Sequence, residues 1–256
     1  MPAVFVGHGS PMLALAHDDI TESLAAIGGR IVEEFGKPKG ILAVSAHYYR
    51  RGTLVQTEQS PRQIYDMYGF PEELYQVKYP VEGSPELGNR VLATEELGAR
   101  EDNTWGIDHG VWTPLVHMFP KADIPIVELS VNANLDARAS YEAGRLLAPL
   151  RDEGYLVTGS GNVVHNLRET EWENPGGSKP AERFNAFIVD QVQKRNDDAV
   201  LNFQTHADAA YAVPTPDHFL PLPYVLGASQ GEAPLVFNNR CNLGSMAMTG
   251  FAFGLE

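Results

Sequence analysis

Four short stretches of this chain, residues 2–6, 40–45, 124–131 and 155–158, are largely apolar and lack the strict alternation of a one-sided sheet. Strands of that kind are buried on both faces. Between them lie segments with a helical period. Residues 18–35 place Leu24, Ile27 and Ile31 on one side, and residues 86–97 also read as a helix. Residues 136–150 read as another, with Asp136 in position to cap its N-terminus. Residues 181–194 carry Phe184, Phe187, Ile188 and Val192 at helical spacing. This alternation predicts an α/β fold, with a central mixed, largely parallel sheet and helices on both faces. Residues 53–57 are expected to pair beside the second strand, and 235–238 with 246–253 to form a C-terminal hairpin. A chain of 256 residues, 43% of them hydrophobic, has enough core for one domain spanning 1–256. No linker or internal repeat divides it.

The net charge of −14, from 33 acidic and 19 basic residues, argues against nucleic acid as a partner. Polyanions call for clustered cations, and Arg50-Arg51 is the nearest approach to a cluster. No apolar run is long enough to span a bilayer, and the N-terminus lacks a secretory pattern, so a cytoplasmic protein without membrane contact is expected. Cys241 is the single cysteine. An internal disulfide and a thiolate zinc cluster are thereby excluded, and any metal site must be built from His, Asp and Glu.

Histidine is where the pattern sharpens. Of eight histidines, three follow core strands: His8 after VFVG, His47 after ILAVSA, and His165 after YLVTGSGNVV. His109 sits in a turn flanked by Gly106 and Gly110. His218 lies in a proline-rich loop that opens a short helix. In an α/β sheet, ligands bind at the carboxyl ends of the strands. If the strands are neighbours, these imidazoles converge on one rim, where they suit a divalent zinc or iron ion. Taken singly, a histidine after a strand is more often a hydrogen-bonded structural residue, so the weight rests on the joint pattern. His17 reads as exposed, His117 as packed on a helix and His206 as a capping or surface residue. Cys241 reads as a small apolar core residue.

Other chemistries have weaker support. Ser10 and Ser160 lack the G-x-S-x-G spacing of a serine hydrolase, and no phosphate-loop lysine follows Gly159-Ser160-Gly161. The carboxylates fall on helix surfaces, which disfavours a paired-carboxylate glycosidase. Tyr48, Tyr49 and Trp112 either line a pocket for a flat ligand or belong to the core.

Five motifs recur in one order along nearly the whole chain: GHGSP (7–11), SAHYY (45–49), GIDHGVW (106–112), GSGNVVHNL (159–167) and PTPDHFLPL (214–222). Together they resemble the class III extradiol ring-cleavage dioxygenases, in their 4,5-DOPA dioxygenase branch. The resemblance implies one divalent metal ion and a small catechol opened by O₂. It implies His8, His47 and His218 as metal ligands, His165 as the acid/base histidine, and His109 as a second histidine contacting substrate or oxygen. One departure stands out. Better-known members of the wider class use a glutamate where His218 stands, and three neutral imidazoles suit Zn(II) as well as Fe(II). Asp217, beside His218, is expected to point elsewhere than at the metal, behind the ligands. Tyr48, Tyr224 and Arg240 are candidate substrate contacts, the last two for a substrate carboxylate. Two alternatives accompany this reading: a zinc-dependent hydrolase or amidase on the same histidines, and a non-catalytic binding protein of the same fold.

Overall fold

The apolar runs pair as strands buried on both sides, because alternate residues of each feed two separate cores. In the computed structural model, which describes residues 1–255, Phe5, Leu42, Val127 and Val157 pack into one core. Their neighbours Val4, Ile41, Ile126 and Leu156 pack into the other. The strands are β1 (Ala3–Gly7), β2 (Gly40–Arg50), β3 (Leu54–Val55), β4 (Arg100–Glu101), β5 (Ile126–Asn132), β6 (Tyr155–Gly161), β7 (Pro234–Phe237), β8 (Cys241–Asn242), β9 (Met246–Ala247) and β10 (Gly250–Phe253). Eight of them form one sheet in the order β4-β3-β5-β2-β6-β1-β10-β7, and β8 and β9 make a separate ribbon. The centre, β5-β2-β6-β1, is parallel, while β3, β10 and β7 run antiparallel to their inner neighbours. The mixed, largely parallel sheet expected from the sequence is thus present. Helices Ala137–Leu147, Lys179–Gln193 and Pro221–Ala228 bury side chains in the first core, and Asp19–Phe35 and His109–Met118 in the second.

Several boundaries move for local reasons. The expected 136–150 helix breaks at Pro149, which starts a separate short turn, although Asp136 does accept the Ala139 N–H as its cap. The 86–97 helix stops at Leu92, and residues 95–97 form a 3₁₀ turn. Strand β6 runs on through Gly161 rather than ending at 158. The C-terminal strands β7 and β10 pair antiparallel as a hairpin would, but the ribbon β8–β9 is inserted between them. Helix Pro221–Ala228 is buried along its whole length, so its sequence carries no amphipathic period to read. No helix among the described residues is long and apolar enough to cross a membrane.

Candidate metal centre

Three parallel strands deliver histidines to one edge of the sheet. Ser160 of β6 lies level with Val6 of β1 and with Ser45 of β2, so β1 and β6 end at the same height while β2 runs on past them. His8 is the first residue past β1. His47 lies inside β2, where the register against β5 jumps from Ser45 to Tyr49. That irregularity turns residues 46–48 out of the β2–β5 ladder, as bulges near functional sites commonly do. His218 arrives from the other side, ahead of the Pro221–Ala228 helix. Its carbonyl accepts the Asn162 N–H at 2.8 Å, and a Cβ on Gly161 would lie 2.2 Å from that same oxygen. Glycine at 161 is therefore what lets His218 approach the sheet.

The ring nitrogens are sorted by their partners. Ser160 donates its single hydroxyl proton to the Gly110 carbonyl, so its oxygen can only accept from His8 Nδ1, 2.9 Å away. Asp217 Oδ2 accepts from His218 Nδ1 at 2.5 Å. Asp66 Oδ2 lies 3.3 Å from His47 Nδ1. Each Nδ1 thus faces a proton acceptor, which leaves the Nε2 lone pairs of His8 and His218 free and favours the same tautomer in His47. His8 Nε2 and His47 Nε2 are 3.2 Å apart, and the buried His218 Nε2 has no hydrogen-bond partner. One nitrogen from each of the three lies within 4.8 Å of the others. Two lone pairs facing each other at that distance repel unless a cation joins them. Metal–nitrogen bonds of about 2.0–2.1 Å at a tetrahedral angle put two ligand nitrogens roughly 3.3 Å apart. The donor set fits a divalent ion.

His165 and His109 complete the group without joining the triad. The His165 ring lies flat on His218, with centroids 3.5 Å apart and planes within 3°. Burial first, and then the neighbouring His218, lowers its pKa to about 3. Burial likewise holds His8 and His47 well below the usual 6.5, with the surrounding imidazoles adding to the effect. These rings are neutral at pH 7, as metal binding and proton acceptance both require. His109 opens its helix, and its ring centroid lies 3.9 Å from that of His47. Asp66 Oδ1 takes the His109 backbone N–H at 2.9 Å and stands 3.0 Å from His109 Nδ1. Asp66 is thus wedged between His47 and His109. Nothing in the sequence around it distinguishes it, because it sits in an irregular loop more than forty residues from His109.

A cavity of about 440 Å³ opens onto all five histidines. Tyr48 and Tyr224 do not line it. Tyr48 is fully buried with its hydroxyl on Asp102 at 2.7 Å, and the Tyr224 hydroxyl meets the Asn132 N–H at 3.4 Å. Arg240 lines an adjoining cavity and pairs through both guanidinium arms with Asp19. Trp112 is core, while Tyr49 is half-buried and packs against the core. The remaining histidines lie outside the cavity. His117 Nε2 meets the Leu13 carbonyl at 2.8 Å, His206 packs on Phe187, and His17 is exposed. Ser160 is no nucleophile, since its proton goes to a carbonyl. Cys241 is buried, with its thiol pushed up to about 12 by burial.

A parallel-centred sheet carrying clustered imidazoles at its carboxyl edge is the frame of a metal-binding α/β protein, and comparison with known proteins shows the family. Residues 2–252 match the family described as the catalytic LigB subunit of aromatic ring-opening dioxygenase. The chain is 39% identical over 264 residues to the 4,5-DOPA dioxygenase extradiol of Escherichia coli (strain K12), covering 99% of this chain and 95% of that one. It is 37% identical over 243 residues to the protein of the same name from Beta vulgaris, covering 92% and 90%. A solved structure of an uncharacterized Escherichia coli K12 protein superimposes with a TM-score of 0.84 at 34% identity, covering 99% of this chain and 100% of that one. The protein belongs to the LigB family. It is a metal-dependent extradiol dioxygenase.

Proposed function

We propose that this dioxygenase opens the ring of a small catechol, as residues 1–256 acting in one catalytic domain, with His8, His47 and His218 holding the metal. The observation that carries this reading is the convergence of three Nε2 atoms whose Nδ1 partners all face protein acceptors. In the reaction class, the ring bond beside the diol breaks and both atoms of O₂ end in the product. When bound, a ferrous ion would relay electrons from the catechol ring, which is oxidised, to O₂, with no net change in the iron; zinc has no redox chemistry to offer in its place.

The chain's own residues handle protons and position. A catechol must lose a hydroxyl proton as it binds. His165, neutral and open to the cavity, accepts it and can return it later. His109 stands beside His47, anchored by Asp66, where its ring hydrogen-bonds to charge developing on oxygen. The curated relatives named above are DOPA dioxygenases, which makes DOPA a first compound to try. The test is oxygen consumption by anaerobically Fe(II)-loaded protein with DOPA, catechol and 4-alkylcatechols. Uptake with a new visible chromophore from the opened ring supports the reading. Its absence throughout, in fully iron-loaded protein, overturns it.

A further inference from the structure

The wall of the histidine cavity divides into two unlike halves. The inner half is imidazole, with Asp66 behind it. The outer half is mostly apolar: Met67, Phe70, Leu167, Trp172, Leu243 and Met246, with the hydroxyls of Ser10, Tyr68 and Thr170 as its uncharged polar groups. Among the described residues that line the cavity there is no lysine and no arginine. The nearest cation in the adjoining cavity, Arg240, is tied to Asp19, and Arg168 beside Leu167 is not part of the wall. Some of the outer wall is held there at a cost. Leu243 has φ 52°, a conformation few non-glycine residues adopt. It is kept so by its N–H donating to the Asn174 carbonyl and its carbonyl accepting the Glu171 N–H, both at 2.9 Å. Tyr68 and Trp172, at 92% and 72% exposure, carry the apolar surface out to solvent.

A carboxylate drawn against such a wall gives up hydration and gains no partner charge from the side chains around it. It also approaches a chain with net charge −14 and the carboxylate of Asp66. An alkyl or aryl group loses water at no such penalty and gains roughly 25 cal/mol for each Å² it buries. We infer that this site selects catechols whose ring substituent is uncharged and apolar over those carrying a carboxylate. The inference rests on the catechol reading above and narrows it: the amino-acid side chain of DOPA is a poorer fit than an alkyl chain of similar length.

Binding can be read without turnover by using phenols, which lack the second hydroxyl. On metal-loaded protein, titration calorimetry with 4-propylphenol and with 3-(4-hydroxyphenyl)propanoate compares a methyl with a carboxylate at the end of the same short chain. The neutral compound is expected to bind at least ten-fold more tightly. Equal binding, or tighter binding of the acid, overturns the inference. Leu167 is 62% exposed, so Leu167→Arg places a cation at the mouth without disturbing the core. That variant is expected to narrow the preference at least ten-fold, and an unchanged ratio also counts against the inference. Failure of the catechol reading looks different: the binding preference persists, yet iron-loaded protein consumes no oxygen with 4-propylcatechol.

Discussion

Each converging imidazole owes its orientation to one small neighbour: Ser160 for His8, Asp217 for His218 and Asp66 for His47. The division of labour makes distinct predictions. His8→Ala or His47→Ala should yield protein without bound metal, by elemental analysis. His165→Ala should retain its metal while turnover falls by about two to four powers of ten, the usual size of a general acid/base contribution. Metal loss in that variant would move His165 among the ligands. Asp66→Ala should weaken metal binding by roughly 10- to 100-fold in chelator competition, since partners behind a ligand contribute on that scale. The histidines were legible from the sequence, because glycine and apolar runs bracket them. Asp66 was not, since its role depends on a loop folding back onto two distant residues. Tyr48 and Tyr224 looked like substrate contacts only through their chain neighbours, and strand and helix geometry turns both side chains away from the cavity.

Helix Ala137–Leu147 packs so closely on Pro221–Ala228 that a Cβ on Gly144 would come within 2.0 Å of the Tyr224 carbonyl oxygen. The obstacle is backbone, which yields only by moving the helix. Gly144→Ala should therefore destabilise the protein by about 1–3 kcal/mol, seen as a lower urea midpoint. Because Pro221–Ala228 follows directly on His218, the same variant should also loosen metal binding. An unchanged midpoint would mean the two helices are free to separate. Elements with a period, such as Lys179–Gln193, could be read from sequence almost to the residue. Pro221–Ala228 is buried all round and His109–Met118 contains Pro114, so each was visible only as a local helical hint beside a histidine.

Across the whole molecule, burial keeps His8, His47 and His165 neutral below their ordinary 6.5. As pH falls through 6.5 the unfolded chain takes up three protons that the folded chain refuses, so stability falls with pH. The buried pair Glu128 and Asp108 works in the opposite sense. Burial raises both acids, most strongly Glu128, and the pair keeps a proton that the unfolded chain has already lost. For metal-free protein the three imidazoles outweigh the single proton of the acid pair below pH 6.5, so stability is expected to fall as the pH drops further. Urea unfolding between pH 6.5 and pH 5 checks this, and a flat profile there would refute it. The sequence by itself determined the layered α/β class, the absence of a cysteine site and the short roll of candidate histidines, because local apolar period and residue chemistry are written along the chain. Only the tertiary structure decided which nitrogens converge, that Asp66 stands behind two of the rings, and that the outer wall of the cavity is mostly apolar. Those follow from strand register and from loops closing across tens of residues, and no local pattern encodes either one.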